Sequence, residues 1–205
     1  MIGVSAVARP SGDGPALVTG DGEVIDLGVD RWWRPAGLAE RTMLARLPDP
    51  VLDVGCGPGR IVAALAGEGR MALGVDPSPV ALGAATRHGA PVLGRSVFSP
   101  LPGEGRWGAV VLFDGNVGIG GDPEALLRRC VDLVRPGGRI LVELDPPGEP
   151  SGPLTVRLAV GEEVSPWFPW ARVTVDAAAP LVAAAGLALV DVSDHGGRWF
   201  AEAAR

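Results

Sequence analysis

An α/β fold built on an open, mostly parallel sheet is predicted by three observations. Apolar runs of strand length, at residues 51–54, 71–76, 108–113 and 140–144, alternate with segments whose apolar residues recur at helical spacing. The first run leads into a glycine-rich bend, V-L-D-V-G-C-G-P-G-R at residues 51–60, followed directly by the apolar helical segment 61–66. Successive runs also finish near a carboxylate: Asp53, Asp76, Asp114 and Asp145. Parallel strands bring such residues to one edge, where open α/β sheets hold ligands.

Composition sets the limits. The chain has 205 residues, 47% hydrophobic and 20% charged, which suits one domain with a sizeable core. The 31 glycines and 20 prolines lie between periodic apolar segments and read as turns rather than disorder. Lysine is absent, which excludes a phosphate-loop lysine, a Schiff base and a lysine general base. Cys56 and Cys130 cannot make a disulfide framework, and with only His88 and His195 no zinc-ligand spacing appears, so no metal is expected. A net charge of −6 disfavours nucleic acid as a partner. Residues 2–8 are too short and lack the basic lead of a signal peptide, so no membrane contact is expected and the location is read as cytoplasmic.

In chain order, residues 1–15 carry no periodic pattern and read as a loose arm. Residues 16–27 alternate around Gly20-Asp21-Gly22, the pattern of a hairpin with a three-residue loop. Arg31-Trp32-Trp33-Arg34-Pro35 follows, then a helix over 38–47. After the bend and its helix comes the second strand, 71–76. Ser78 caps the next helix, Pro79 sits in its first turn, and His88 ends it as a solvated residue. A short third strand is expected at 91–94. The continuous apolar run 108–113 suits a central strand covered on both faces. Asp122 caps a helix over 123–133, and Arg135-Pro136-Gly137-Gly138 turns the chain into the fifth strand, 140–144. Residues 154–160 alternate as a strand, and Ser165-Pro166-Trp167-Phe168-Pro169-Trp170 reads as an extended loop projecting aromatics. A last helix over 176–185 precedes a strand pair, 187–192 and 198–203, around a turn containing His195.

The glycine spacing separates two classes of ligand. A dinucleotide fold wants G-x-G-x-x-G, but counting from Gly55 places Arg60 at the third glycine. The observed D-x-G-x-G-x-G, from Asp53 through Gly55, Gly57 and Gly59, resembles the first motif of class I S-adenosylmethionine-dependent methyltransferases. G-V-D-P-S-P, with Asp76 ending the second strand, and the R-P-G-G turn before the fifth fit the same resemblance. It covers residues 51–145, nearly half the chain.

The resemblance implies a Rossmann-like seven-stranded sheet, mostly parallel with the last strand antiparallel, carrying an N-terminal hairpin and helix as a cap. The expected organisation is a single domain over residues 1–205: a loose arm (1–15), a cap (16–47), a cofactor-binding half (48–145) and a substrate-side half (146–205). The implied cofactor is S-adenosylmethionine, with S-adenosylhomocysteine as product. Its binding residues are expected to be Asp53, Gly55, Cys56, Gly57, Gly59, Arg60, Asp76, Pro77, Ser96, Val97, Asp114 and Asn116. Asp76 falls on the ribose hydroxyls, since a charged acceptor matches two adjacent donors. After the third strand the family commonly has an acid followed by a small residue, whereas this chain has Arg95-Ser96-Val97-Phe98. The adenine amine then falls to Ser96 or a backbone carbonyl, and Val97 or Phe98 packs the ring.

Other roles stay open between two readings. Asp114 and Asn116 can reach the transferred methyl or simply shape a turn. Trp32 and Trp33 can cover the cofactor or staple the hairpin to the core, while a neighbouring arginine pairs the methionine carboxylate or stays solvated. Trp167 and Trp170 can enclose an apolar or aromatic acceptor, or make a dimer contact or satellite core. His195 is the first candidate base, because the loop after a parallel sixth strand opens on the ligand edge; Asp145 and Asp114 are the others. Asp145-Pro146-Pro147-Gly148 differs in place and last residue from the tetrad of amino-methylating DNA enzymes, and reads as a rigid exit from the sheet. The expected activity is methyl transfer to a small molecule. The alternatives are a binding-only regulatory or assembly protein of the same fold and, third, an NAD(P)-dependent oxidoreductase.

Overall fold

The computed structural model describes residues 16–25, 31–87, 89–160 and 162–205. The expected arm before Ala16 and the expected role of His88 lie outside the described residues. The first half of the chain forms β1 (Ala16–Thr19), β2 (Val24–Ile25), α1 (Leu38–Leu44), β3 (Val51–Val54), α2 (Arg60–Gly67), β4 (Ala72–Val75), α3 (Pro79–Arg87) and β5 (Val92–Leu93). The second half forms β6 (Trp107–Leu112), α4 (Pro123–Leu133), β7 (Val134–Leu144), β8 (Gly152–Val160), β9 (Glu163–Val164), β10 (Phe168–Arg172), α5 (Ala178–Ala184), β11 (Ala188–Asp194) and β12 (Trp199–Ala204).

The main sheet orders its seven strands β11-β12-β7-β6-β3-β4-β5. From β7 to β5 all neighbours are parallel. β12 runs antiparallel to β7, and β11 antiparallel to β12. The chain winds outward from β3 to β5 and then crosses back to β6, so the order reverses between β3 and β6. A crevice opens at such a switch point, outside the carboxyl ends of the strands. Asp53 and Asp114 therefore face one another's strand ends across it.

Both faces of the sheet are covered, which is why its central strands read as continuous apolar runs. On β6, Val110 and Leu112 face a core shared with Leu126 and Leu127 of α4, while Ala109 and Val111 face one shared with Met43 of α1 and Leu65 of α2. Period-two alternation thus divides one strand between two cores.

Two expectations need correction. The N-terminal hairpin closes as expected, Thr19 N donating to Glu23 O at 2.9 Å across Gly20-Asp21-Gly22. But β1 also pairs with β8, giving a second antiparallel sheet, β10-β8-β1-β2, with β9 on β8. The N-terminal hairpin and the segment after β7 are therefore one layer, whereas α1 packs on the main sheet. The expected loop at 165–170 is strand from Phe168 onward. Pro169 misled the reading: β10 lies at the sheet edge, where a residue without an N–H is tolerated. The R-P-G-G stretch lies within β7 as an irregularity, since Trp107 pairs with Val134 and Ala109 with Arg139. Among the described residues no helix is long and apolar enough to cross a membrane.

Candidate active site

The bend between β3 and α2 is held from three sides, and each of its glycines has a different reason to be glycine. At Gly55 (φ +73°) a β-carbon would lie 2.5 Å from Nδ2 of Asn116. At Gly59 (φ +81°), which precedes α2, it would strike the methyl groups of Ala85 and Ala90 at 3.0 and 2.9 Å. At Gly57 (φ +52°) it would meet nothing within 4 Å. Gly57 is the point where the backbone is both left-handed and open to a ligand.

Asp76 reaches this opening. Its Oδ2 accepts the Gly57 N–H at 3.0 Å and its Oδ1 the Ser78 N–H at 2.8 Å. Each carboxylate oxygen has capacity for a further donor. Cys56, by contrast, turns inward: a β-carbon on Gly74 would lie 2.6 Å from its Sγ, so the thiol occupies the space left by that missing side chain. Burial, with help from the Asp53 and Asp76 charges, pushes the Cys56 thiol far up. Only its backbone faces the bend. Pro77 is exposed beside Asp76.

Asn116 lies in a short 3-10 turn, Asn116–Gly118, after β6. Its amide donates to the carbonyls of Val54 at 3.0 Å and Gly55 at 2.9 Å. It braces the bend from the neighbouring strand end. Asp114, just before it, has φ +54°, the only positive φ of a non-glycine among the described residues. Such a backbone costs of order 1–3 kcal/mol and persists where surroundings fix it.

What fixes it is a buried charge network. The Arg60 guanidinium, at the start of α2, bonds Glu40 of α1 and Asp114 Oδ2, the latter at 2.6 Å. Arg198, from the turn before β12, grips both oxygens of Glu143 at 2.8 and 2.7 Å and reaches Glu40 at 2.6 Å. Glu143 in turn accepts the Asp114 N–H at 2.8 Å. Five residues from five parts of the chain are tied together under the crevice. Burial raises the pKa of Asp114, and Glu143 adds to the effect against the opposing charge of Arg60. Glu40 is held below its ordinary value, the charges of Arg60 and Arg198 outweighing burial. Asp53 is 2% exposed, has one oxygen without a hydrogen-bond partner, and is pushed up to about 7 chiefly by burial.

A cavity of about 70 Å³ lies between the two sheets. Asp114, Glu143 and Asp145 line it from the main sheet, Trp170 and Arg172 from the small one, and Arg31 from the cap. Asp145 continues β7, its N–H bonded to Val173 O and its carbonyl accepting Val175 N–H; burial raises its carboxyl pKa while Arg172 opposes. Trp170 stands edge-on to Phe168 at 6.3 Å. A β-carbon on Gly118 would strike Ala171 O at 2.1 Å and Trp170 at 2.7 Å, so glycine there lets the turn after β6 press against β10. A second cavity, about 390 Å³, is lined by Trp32, Trp33, Arg41, Gly59 and Arg60 among others.

The structure thus brings Asp53, Arg60, Asp76, Asp114 and Asn116 to one edge, with Asp145 beside them. Trp32 and Trp170 join the core of the small sheet, whereas Trp33 and Trp167 are exposed, Arg157 lying over the Trp167 ring. Val97 is buried in the main core, and the Ser96 hydroxyl accepts the Phe98 N–H at 3.3 Å. His195 sits in the β11–β12 turn at the ligand edge, its ring edge-on to Phe200 at 5.8 Å, and lines neither cavity. Glu40, Glu143 and Arg198 escaped sequence reading. One signal was present: Glu143 interrupts the apolar run I-L-V-E-L, and a charge in a strand covered on both faces needs a partner. Among the described residues no group of His, Cys, Asp and Glu is placed to hold a metal.

Comparisons with known proteins bear on this edge. The family profile described as a methyltransferase domain matches residues 51–138. The ubiquinone biosynthesis O-methyltransferase of Rhizobium rhizogenes is 38% identical over 97 residues, covering 45% of this chain and 39% of that protein. A probable cobalt-precorrin-6B C(15)-methyltransferase of Methanothermobacter thermautotrophicus is 31% identical over 121 residues, covering 53% of this chain and 61% of that protein. The chain thus spans about two fifths to three fifths of the length of these curated relatives. In structure, a methyltransferase from Bacteroides fragilis solved with S-adenosylhomocysteine superposes with a TM-score of 0.75 at 20% identity, over 92% of this chain and 86% of that one. A Burkholderia thailandensis 1,6-didemethyltoxoflavin-N1-methyltransferase gives 0.58 at 23% identity, over 82% and 75%. The matched stretch supplies the glycine bend, the acid after β4 and the central parallel strands; over it the chain is similar to the methyltransferase domain family, and its fold is that of the methyltransferase structures.

Proposed function

We propose that this protein transfers a methyl group from S-adenosylmethionine to a small molecule with an apolar or aromatic body, the methylated atom being oxygen, nitrogen or carbon. The observation that carries the reading is Gly57, open and left-handed, with the Asp76 carboxylate on its N–H. An uncrowded backbone beside a two-oxygen acceptor suits an adenosyl ligand: Asp76 takes the ribose hydroxyls, with Pro77, Ser96 and Val97 on the adenine side. Asp53, Gly55, Cys56, Gly59 and Arg60 hold the bend's shape at the methionine end, and Asp114 and Asn116 close it from β6.

When bound, S-adenosylmethionine supplies a methyl on a sulfonium leaving group. The chain's own work is then alignment, which by itself removes a large part of such a barrier. Trp170 and the cap tryptophans Trp32 and Trp33 shield the crevice from water, and Trp167 borders the entrance. Where the acceptor keeps a proton, Asp145 or Asp114 takes it, both being carboxyls whose raised pKa brings them nearer to working pH. His195, turned onto Phe200, is the more distant candidate. A cytoplasmic site of action without nucleic-acid or membrane partners is supported by the net charge of −6 and by two buried free cysteines.

The test is calorimetric titration with S-adenosylmethionine and S-adenosylhomocysteine, followed by a screen for S-adenosylhomocysteine release across phenols, amines and carboxylates. Binding with turnover of one class is the expected result. Binding without turnover on any class would favour the regulatory reading, and nicotinamide binding without adenosyl affinity the oxidoreductase one.

A further inference from the structure

We infer that a cavity at the amino ends of β3, β4 and β6 binds a small amphipathic monoanion, an apolar or aromatic body carrying one carboxylate. This site is separate from the one proposed above, which lies at the carboxyl ends of the same strands.

The cavity, about 340 Å³, is walled by Pro50, Met71, Leu73, Pro102 and Trp107, and Arg106 is the one charged residue of its lining. That volume suits a small ligand. Arginines hold the loops on either side in place. Arg70 donates to the carbonyls of Leu44 and Leu47, both at 2.7 Å, and to Asp49. Arg129 donates to the carbonyls of Val97 and Ser99, both at 2.9 Å, and to Glu104. Trp107 Nε1 donates to Pro102 O at 3.0 Å, so the one polar atom of the indole is already satisfied. Met71 is 69% exposed, a large apolar side chain that gains by being covered.

Arg106 sets the charge of the ligand. Asp49 and Glu104, the acids on the bordering loops, are taken by Arg70 and Arg129, and among the described residues the Arg106 side chain has no hydrogen bond or ion pair. An apolar concavity with one uncommitted guanidinium matches an apolar body with a carboxylate, which arginine can take through two parallel hydrogen bonds. An ammonium there would meet a like charge.

Methionine supplies the reporter. The chain has three, at positions 1, 43 and 71. Met71 lines the cavity, whereas Met43 is 1% exposed in the core under α1. The full chain, labelled with carbon-13 at the methionine methyls, is titrated by NMR with 4-phenylbutyrate, 4-phenylbutanol and 4-phenylbutylamine, with and without S-adenosylhomocysteine; Met71→Leu assigns the signal. The carboxylate should move the Met71 methyl saturably, leave Met43 in place and bind equally with S-adenosylhomocysteine present. It should bind about 5-fold more tightly than the alcohol, the scale of an exposed ion pair, and Arg106→Gln should abolish that preference. An unmoved Met71 signal, an alcohol or amine that binds as well, a preference unchanged in Arg106→Gln, or competition by S-adenosylhomocysteine would overturn the inference. So would a Met71 signal that moves with protein concentration alone, which would give the groove to a second copy of the chain. S-Adenosylhomocysteine that binds nowhere would strike the methyl-transfer reading and leave this site standing.

Discussion

The side-chain amide of Asn116 occupies the volume that a side chain on Gly55 would need: Nδ2 would be 2.5 Å and Cγ 2.7 Å from a β-carbon there. One residue from the turn after β6 thereby locks the bend after β3, through hydrogen bonds to the carbonyls of Val54 and Gly55. The two parts of the switch point behave as one body.

Gly55→Ala should therefore be destabilising for two separable reasons. A left-handed backbone at alanine costs roughly 1–2 kcal/mol, and the contact with Asn116 adds to it. In an Asn116→Ala background the second component disappears while the first remains. The double-mutant cycle should show coupling of about 1 kcal/mol or more, in the sense that the pair is less damaging than the sum. Chemical denaturation of the four proteins measures it; additivity would mean that the amide and the glycine do not share that space.

Much of this edge was legible in the sequence, and the reason is local. Glycine spacing, a strand-terminal acid and a capping Asp122, which accepts the Ala125 N–H at 2.9 Å, all act within a few residues, so their pattern survives in one dimension. The pairing of β1 with β8 joins residues more than a hundred positions apart, and nothing within either strand announces its partner. The same holds for Glu40, Arg60 and Arg198. Arg60 was marked because it broke a glycine pattern, but its partners lie on α1 and after β6. At Cys56 motif position fixes the backbone, whereas the thiol follows the gap at Gly74, which no local pattern announces.

Asp76 joins the bend to the start of α3, so its removal should be felt at the ligand. Asp76→Ala should weaken S-adenosylmethionine binding by about 1.5–3 kcal/mol, through lost charged hydrogen bonds and a loosened Gly57 N–H. Asp76→Asn, which keeps one acceptor, should fall between. Isothermal titration gives the numbers, and a dissociation constant unchanged in the alanine variant would place the ribose elsewhere.

The buried Asp53 predicts a pH dependence with a definite sign. Its pKa rises from 3.8 to about 7 on folding, so between those values the native state holds a proton that the unfolded state has released. Stability contributed by this group therefore falls as pH rises from about 4 to about 7 and is level above, a change of order a few kcal/mol. Glu40, held below its ordinary value, acts oppositely, losing its contribution only as the medium becomes acidic. Melting temperatures from pH 5 to 8 should decline for the wild type and decline less for Asp53→Asn. Parallel curves would show that Asp53 is ionised throughout.

Trp170 and Trp167 are three residues apart, yet they should behave differently. Trp170 packs against Gly118 and Phe168 and lines the cavity between the sheets. Trp167 is 47% exposed, and the Arg157 guanidinium lies over its ring at 4.9 Å. Trp170→Ala should leave a void at the acceptor side, lowering stability by about 3 kcal/mol or more. It should also raise KM for the acceptor far more than it alters the dissociation constant of S-adenosylmethionine. Trp167→Ala should cost about 1 kcal/mol or less, the range of an exposed cation–π contact. Steady-state kinetics on an acceptor found in the release screen, with thermal melts of both variants, separates the two roles. If Trp167→Ala raises KM as much as Trp170→Ala does, the acceptor lies along the outer face of the small sheet and not between the sheets.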